Sequence, residues 1–135
     1  MDRTDWQFGK HVFNILVLGV VSNGAAIPLF WVFLPKKGNS NTAERMEIIL
    51  QFCEAFGSES IDFLCGDREF IGEEWFRFLK GKGIDFRIRI RNNTKIPNKK
   101  GKLCSAKSFF KNLPAYQPYV FKKAKTIWGV ELYVS

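Results

Sequence analysis

The stretch CGDREFIGEEWF, residues 65–76, decides how the rest of the chain is organised. The apolar run 61–65 ends abruptly at Gly66-Asp67, and an amphipathic helical pattern begins almost at once after it. This pattern is typical of a buried strand that ends at the rim of a sheet, with a helix carrying the chain away. A carboxylate at that rim is either a helix cap or a metal ligand, and the local sequence leaves both interpretations of Asp67 open.

The positive charge of the chain lies in its second half. The 135 residues carry a formal net charge of +8. Residues 1–67 hold five Lys/Arg against eight Asp/Glu, a net −3, whereas residues 68–135 hold 16 against five, a net +11. This asymmetry indicates a polyanionic partner for the second half, most often nucleic acid, and the alternative is a solubilising surface.

The composition is that of a globular protein, with 46% hydrophobic and 16% aromatic residues. The length allows one domain with a substantial core. The three cysteines (Cys53, Cys65 and Cys104) are far apart and form no Cys-x-x-Cys pair. Two of them lie within apolar patterns, which predicts small core residues in a reducing cytoplasm, and the single His11 excludes a His-rich zinc site.

The stretch 11–34 carries no formal charge and is long enough to span a bilayer. However, Ser22-Asn23-Gly24 interrupts it with strong turn residues, and both flanks are rich in β-branched and aromatic residues. These features favour two buried strands, 13–21 and 25–34, joined by a hairpin turn. We therefore predict no membrane segment.

The first half of the chain otherwise alternates strand and helix signals. Residues 2–8 predict a strand, and the spacing of Asn41 and Glu44 is that of a capping box before a helix that Gly57 ends. The predicted buried stripe of this helix is Met46, Ile49, Leu50, Cys53 and Phe56. The run 61–65 is too short for a helix and too apolar for a surface, which predicts a central strand.

The second half begins with a helix and a strand. An apolar stripe that Gly81 and Gly83 terminate predicts the helix: Ile71, Trp75, Phe78 and Leu79. Residues 84–91 alternate strictly and predict a strand with one apolar and one cationic face. Residues 97–102 predict a solvated basic loop, and residues 119–125 and 126–134 predict two further strands.

This order of elements is that of a ribonuclease H-like core, so we predict an α/β fold with a mixed sheet flanked by helices. The first and fourth strands are neighbours in such a sheet, which would bring Asp2 and Asp67 face to face at its rim. Two carboxylates that close repel unless a cation lies between them, and magnesium prefers hard oxygen ligands. Spacing alone favours the other interpretation, in which Asp67 caps the following helix and Asp2 is an ordinary exposed strand residue.

Five motifs follow one another in the chain: DRTDWQFG (2–9), IPLFW (27–31), KGNSNT (37–42), DREFIGEEW (67–75) and FRIRIR (86–91). Together they resemble the catalytic core of DDE transposases from bacterial insertion sequences, of the insertion-sequence-four type. The resemblance covers essentially the whole chain. It implies a ribonuclease H-like fold and a nick at transposon ends that depends on Mg²⁺ or Mn²⁺, after which a 3′-hydroxyl attacks target DNA.

The resemblance also assigns residues. Asp2 matches the first acidic metal ligand of the family and Asp67 the second. Arg68 and Glu69 match the pair beside the second acid and would support the site, although a helix first turn with its own charge pair is the alternative.

Two further groups of side chains, three arginines and three tryptophans, each have two interpretations. Three arginines on the predicted cationic strand would face DNA phosphates, and their alternative is a solvated strand face: Arg87, Arg89 and Arg91. Three tryptophans are interpreted as core residues rather than base-stacking residues: Trp6, Trp31 and Trp75.

The departures from the family pattern predict a truncated chain. Family members carry a DNA-end-binding region before the first strand, whereas here Met1 directly precedes Asp2. The third ligand of the family, a Glu within a Tyr-Arg-Glu-Lys signature, has no match, and Glu131 lies in a strand-like context that does not replace it. We therefore expect residues 1–91 to be a partial catalytic core and residues 92–135 to be the start of an inserted, basic β region.

The predicted function is that of a transposase fragment, inactive alone because the third acid is absent. The alternative is a non-catalytic, basic DNA-binding remnant. The resemblance further implies transposon-end and target DNA as partners, a homodimer for the full-length parent, and a cytoplasmic location.

Overall fold

A two-residue turn at Asn23-Gly24 joins strand β2 (His11–Ser22) to strand β3 (Ala25–Leu34). Both turn residues have positive φ, 51° and 80°, as a type I′ turn requires. Strand β1 (Asp2–Phe8) pairs with the other edge of β2, which completes an antiparallel sheet in the order β1-β2-β3. The predicted first strand and hairpin are confirmed.

The computed structural model describes residues 1–114 and 117–135. The chain divides into two compact units, Met1–Arg89 and Ile90–Ser135. Among the described residues, none of the helices combines the length and the apolar character that crossing a membrane needs.

Helix α1 (Thr42–Phe56) begins at the predicted capping box and ends at Gly57. The Asn41 Oδ1 accepts from the Glu44 backbone N–H at 2.9 Å, and the Glu44 Oε2 accepts from the Asn41 N–H at 2.7 Å. These two bonds satisfy backbone donors that the first helical turn would otherwise leave unpaired.

The predicted buried face of α1 is wrong in part. Leu50 and Phe56 are 43% and 52% exposed. The buried residues are instead Arg45, Ile48, Ile49 and Phe52. Arg45 belongs to the buried face: its Nε donates to the Ser40 Oγ at 2.9 Å, and its guanidinium lies 5.3 Å from the centre of the Phe70 ring.

Strands β4 (Leu64–Gly66) and β5 (Phe86–Ile88) pair in parallel, and helix α2 (Glu73–Gly81) connects them. Five of the largest fully buried side chains among the described residues belong to this connection: Phe70, Trp75, Phe76, Leu79 and Ile84. Both strands are shorter than the predicted 61–65 and 84–91. Cys65 is exposed, so its assignment to the core is wrong.

The order of elements is as predicted, and the fold is mixed α/β. The strands of the first unit form an antiparallel sheet of three and a parallel pair, where one mixed sheet was predicted. Short strands explain the difference, since few backbone groups of β4 and β5 remain for further ladders.

The antiparallel sheet buries one face and exposes the other. Leu16, Leu18 and Leu34 are at most 5% exposed, and Phe30 on the same face makes an edge contact with Phe52 of α1. The opposite face carries five aromatic side chains that are 41–74% exposed: Trp6, Phe8, Phe13, Trp31 and Phe33. We call this set the aromatic face.

The prediction that the tryptophans are core residues therefore holds for one of three. Trp75 is fully buried, whereas Trp6 and Trp31 are 66% and 60% exposed. Their register places them opposite Phe13 and Val17 of β2, on the face that α1 does not cover. A strand presents alternate residues to opposite faces, so hydrophobicity alone did not show which face the helix packs on.

Within its described residues, the second unit contains two short hairpins and one helical turn. Its elements are β6 (Lys95–Pro97), β7 (Leu103–Ser105), α3 (Ala106–Phe109), β8 (Lys125–Ile127) and β9 (Val130–Leu132). The predicted strand 119–125 is wrong except at Lys125, because residues 119–124 form no strand. The predicted strand 126–134 is instead most of the hairpin β8–β9, because the chain turns at Trp128 and Gly129, which both have positive φ. The hairpin β6–β7, which encloses the predicted basic loop, was not foreseen. The interpretation of this unit as an inserted region stays a prediction.

Candidate functional site

The start of β1 meets the end of β4. The Met1 nitrogen donates to the Cys65 carbonyl oxygen at 2.8 Å. Asp2 follows the donor by one residue and Asp67 follows the acceptor by two, so both carboxylates belong to the same edge of the first unit. Both residues are exposed. Partial burial lowers the pKa of the Met1 amino group, and the nearby Asp2 charge opposes that shift.

A second contact joins the same two segments through side chains. The Arg3 Nε donates to the Glu69 Oε2 at 3.0 Å, and each of these side chains is only 16% exposed. The Arg3 Nη1 also donates to the Asp5 Oδ1 at 2.6 Å and to the Asn14 Oδ1 at 3.2 Å. Hydrogen bonds to Asp5 and then to Glu69 raise the pKa of Arg3. Arg3 thus connects β1, β2 and the segment after β4.

Glu69 also acts on a second buried cation. Burial lowers the pKa of Arg45, and the negative charges of Glu69 and then Glu44 oppose this shift. The Glu69 Oε1 is buried and accepts no hydrogen bond in the part of the chain that the structure describes. A buried carboxylate needs such compensation because removing charge from water is costly. Glu69 is therefore a mostly buried carboxylate that pairs with Arg3, and this pair joins β1 to the segment that contains Asp67.

Asp67 is not the cap of α2. The helix begins at Glu73, its N-cap is Gly72, and this cap makes no side-chain hydrogen bond. The backbone of Asp67 instead accepts from the Phe70 N–H at 3.0 Å, which forms a turn. The helix-cap interpretation is therefore wrong.

The alternative interpretation of Arg68 and Glu69, as a charge pair in the first turn of a helix, is also wrong. The acidic residues in the first turn of α2 are Glu73 and Glu74, so Arg68 and Glu69 lie before the helix rather than in its first turn. Glu69 pairs with Arg3 across 66 residues of sequence. Arg68 is exposed.

The carboxylate oxygens at this edge are the type of ligand that a hard divalent cation prefers. Asp2 and Asp67 are exposed carboxylates, and magnesium is typically bound by one or two carboxylates together with water and substrate phosphates. Within residues 1–114 and 117–135, no group of three or more His, Cys, Asp and Glu side chains could hold a metal ion. The edge therefore offers two candidate protein ligands.

The three predicted DNA-facing arginines have different surroundings. The Arg87 guanidinium lies 4.0 Å from the centre of the Phe63 ring, beside Asp62 and Asp85 in a shallow pocket. The Arg89 N–H donates to the Gly66 carbonyl at 3.1 Å, which places Arg89 next to the segment that carries Asp67. Arg91 belongs to the second unit.

Arg3, Arg45 and Asn14 are the supporting residues that the sequence reasoning missed. The signal for Arg45 was present, because it shares helical spacing with Ile48, Ile49 and Phe52. A charged residue at a position of an apolar stripe has two interpretations: it is buried together with a polar partner, or it interrupts the stripe. Nothing local indicated that Arg3 pairs with Glu69.

One family model matches the chain. Its description is "Transposase DDE domain", and the match covers residues 2–129, which include both Asp2 and Asp67. No curated protein and no solved structure matches the chain.

Proposed function

The chain belongs to the transposase DDE domain family, and from this premise we propose that it is part of the catalytic core of an insertion-sequence transposase. The motifs quoted above favour the insertion-sequence-four type and a ribonuclease H-like sheet. The parent enzyme cleaves a DNA strand at the transposon end and joins the 3′-hydroxyl to target DNA. In this proposal, residues 1–91 form the partial core and residues 92–135 begin an inserted region.

The observation that carries the proposal is the contact between the start of β1 and the end of β4. The Met1–Cys65 hydrogen bond and the Arg3–Glu69 pair join the two segments that contain Asp2 and Asp67, which are 65 positions apart in sequence, and this supports the assignment of both acids to one site. A metal-dependent nuclease site requires carboxylates that can share a metal ion, and the contact between these two segments supports such a site.

Asp2 and Asp67 would hold the Mg²⁺ or Mn²⁺ ion, which when bound supplies charge neutralisation and activation of the attacking oxygen. The buried pair Arg3–Glu69 orients the Asp67 segment against β1. Arg68 is exposed beside Asp67 and supports the site from solvent. Arg87, Arg89 and Arg91 bind DNA phosphates, and Arg89 is the arginine that adjoins the Asp67 segment.

Metal binding tests the assignment of the two acids. Calorimetric titration of the wild-type chain with Mn²⁺ is expected to show weak binding that Asp2→Asn or Asp67→Asn reduces at least about tenfold. Asp62→Asn is the matched control, because it removes an equally exposed carboxylate elsewhere on the same unit. Equal binding by all four proteins would contradict the assignment.

The chain alone is expected to be inactive as a nuclease. The family uses three acids, and this sequence matches two of them. Purified protein incubated with labelled duplex DNA and Mg²⁺ should show no strand cleavage above background. Cleavage that depends on Mg²⁺ and is abolished by Asp67→Ala would overturn the inactivity and would identify a complete site.

A second candidate is a basic DNA-binding protein without catalysis. The charge distribution favours it: Ile90–Ser135 holds ten Lys/Arg and one acidic residue, Glu131. This candidate predicts DNA binding that falls steeply with salt while Mn²⁺ binding is absent. Binding of both DNA and Mn²⁺ would select the transposase core instead.

Two further features complete the proposal. The full-length parent acts as a homodimer on transposon-end and target DNA. The chain acts in the cytoplasm, and its three free cysteines suit that reducing compartment.

A further inference from the structure

The second unit carries all of the net positive charge of the protein. Its ten Lys/Arg against one Glu give a net +9, whereas Met1–Arg89 holds eleven against twelve, a net −1. A whole-protein charge of +8 therefore conceals one nearly neutral unit and one strongly basic unit. The second unit therefore supplies the long-range attraction to a polyanion, and the contact surface is expected to lie on it.

Within this unit, the hairpin β6–β7 presents three lysines on one short loop. Lys99, Lys100 and Lys102 are exposed, and they lie between Pro97 and Leu103, where the two strands pair. We call residues 98–102 the lysine loop. No carboxylate lies in this loop or in either of its strands, so no acidic neighbour in the hairpin competes for these lysines.

The lysine loop is held in one conformation by its own hydrogen bonds. The Asn98 N–H donates to the Lys102 carbonyl at 2.9 Å. The Asn98 Oδ1 accepts from the Lys100 N–H at 2.9 Å and from the Lys102 N–H at 3.0 Å. Gly101 has a φ of +78°, which most other residues would adopt only with strain. A preordered loop loses little further backbone entropy when a ligand binds.

The stem of the hairpin is anchored in the small core of the second unit. Ile96 of β6 is fully buried and packs with Ala106, Ile127 and Val134. The Ala106 N–H donates to the Thr94 carbonyl at 2.8 Å, which closes the base of the hairpin. Because the strands of the hairpin pack in this core, the base of the lysine loop is fixed.

We infer that the lysine loop binds the phosphate backbone of duplex DNA without reading its sequence; this inference rests on the proposed function, which supplies DNA as the partner. Lysine ammonium groups contact phosphates as point charges, which sets position but carries no base information. The loop contains no aromatic side chain, so it lacks the stacking surface that single-strand binding proteins use. The chemistry therefore favours a duplex backbone over unpaired bases.

The test compares two triple variants of the full chain that change the net charge equally. The first is Lys99→Gln/Lys100→Gln/Lys102→Gln. The control is Lys10→Gln/Lys37→Gln/Lys82→Gln, which removes three exposed lysines of the first unit. Binding to a fluorescent DNA duplex is measured by anisotropy between 50 and 200 mM salt in EDTA, after circular dichroism has shown that each variant is folded.

The loop variant should bind the duplex at least about tenfold more weakly, and its log–log salt slope should fall by about 3, one for each phosphate contact. The control should stay within about twofold of the wild type. Equal losses in both variants, or no loss in the loop variant, would overturn the inference. A larger loss on a single strand, or tighter binding of an RNA duplex, would overturn its assignment to duplex DNA.

These outcomes are separate from the tests of the proposed function, because EDTA removes the divalent metal from the assay. Mn²⁺ binding that depends on Asp2 and Asp67, together with equal losses in the two triple variants, would retain the transposase assignment and reject the loop. A loss of DNA affinity in the loop variant alone, in a chain that binds no Mn²⁺, would support the lysine loop as a DNA contact and reject the metal site.

Discussion

At the level of single residues, the pair formed by Arg3 and Glu69 accounts for how the candidate site is held together. Both side chains are mostly buried, and Glu69 leaves one carboxylate oxygen without a hydrogen bond among the described residues. A charge in such a position is tolerated only while its partner remains. The pair therefore links β1 to the segment after β4, and loss of either partner would leave an uncompensated charge in a mostly buried position.

Removing one partner of this pair should destabilise the protein. Arg3→Met is expected to lower the free energy of unfolding by about 1–3 kcal/mol, because it leaves the Glu69 carboxylate buried and without its hydrogen-bond donor. Arg3→Met/Glu69→Leu should recover part of this loss, since no charge then stays buried. Urea denaturation of the wild type, both single variants and the double variant gives the coupling energy.

An exposed ion pair in the same unit provides the control. Arg77 and Glu73 pair on the surface of α2 at 2.9 Å, and their side chains are 60% and 54% exposed. The coupling between them should be only about 0.3–0.5 kcal/mol. A coupling energy for Arg3 and Glu69 that is no larger than this value would contradict the expectation that burial makes this pair the stronger one.

At the level of elements, the hairpin β2–β3 depends on a close approach at Gly19. The pairing register shifts between Leu18 and Gly19, which marks a β-bulge. A Cβ on Gly19 would lie 2.6 Å from the Ile27 carbonyl oxygen, closer than van der Waals contact allows. Only glycine fits this position unless the two strands move apart.

Gly19→Ala should therefore destabilise the protein by about 1–3 kcal/mol, because the clash is with backbone that cannot rotate away. Gly81→Ala is the matched control at the end of α2, where a Cβ meets nothing within 4 Å. It should change stability by about 0.5–1 kcal/mol in the opposite direction, since alanine favours the helix. Thermal denaturation measures both, and a neutral Gly19→Ala would show that the bulge relaxes.

At the level of the whole molecule, the aromatic face is an exposed apolar surface of the first unit. Its five side chains, at 41–74% exposure, offer on the order of 500–700 Å² of aromatic surface. Patches of this size on soluble proteins usually mark contact sites, and a stable protein interface buries about 800 Å² on each partner. Asp2 shares this face, because its register partner Val17 pairs in turn with Trp31.

The purified chain should therefore self-associate through the aromatic face as its concentration rises. Trp31→Lys/Phe33→Lys is expected to shift the sedimentation distribution toward the monomer, because two charges oppose burial of the face. Tyr133→Lys is the control, since Tyr133 is 71% exposed but lies in the second unit. A chain that sediments as a monomer at every concentration would contradict this expectation.

Much of the first unit could be predicted from local patterns. The type I′ turn at Asn23-Gly24, the capping box of α1 and the end of this helix at Gly57 were all visible in sequence. The order of strands and helices followed from them. These features depend on residues at most a few positions apart, whose backbone preferences act before any distant contact forms.

Other features were decided by the tertiary structure alone. It chose which face of each element is buried, exposing Trp6 and Trp31 and burying Arg45. It also brought Asp2 to the Asp67 segment and showed that Asp67 does not cap α2. The physical reason is that burial and pairing depend on contacts between residues far apart in the chain, and the energy of such contacts is set by register and packing rather than by local preference.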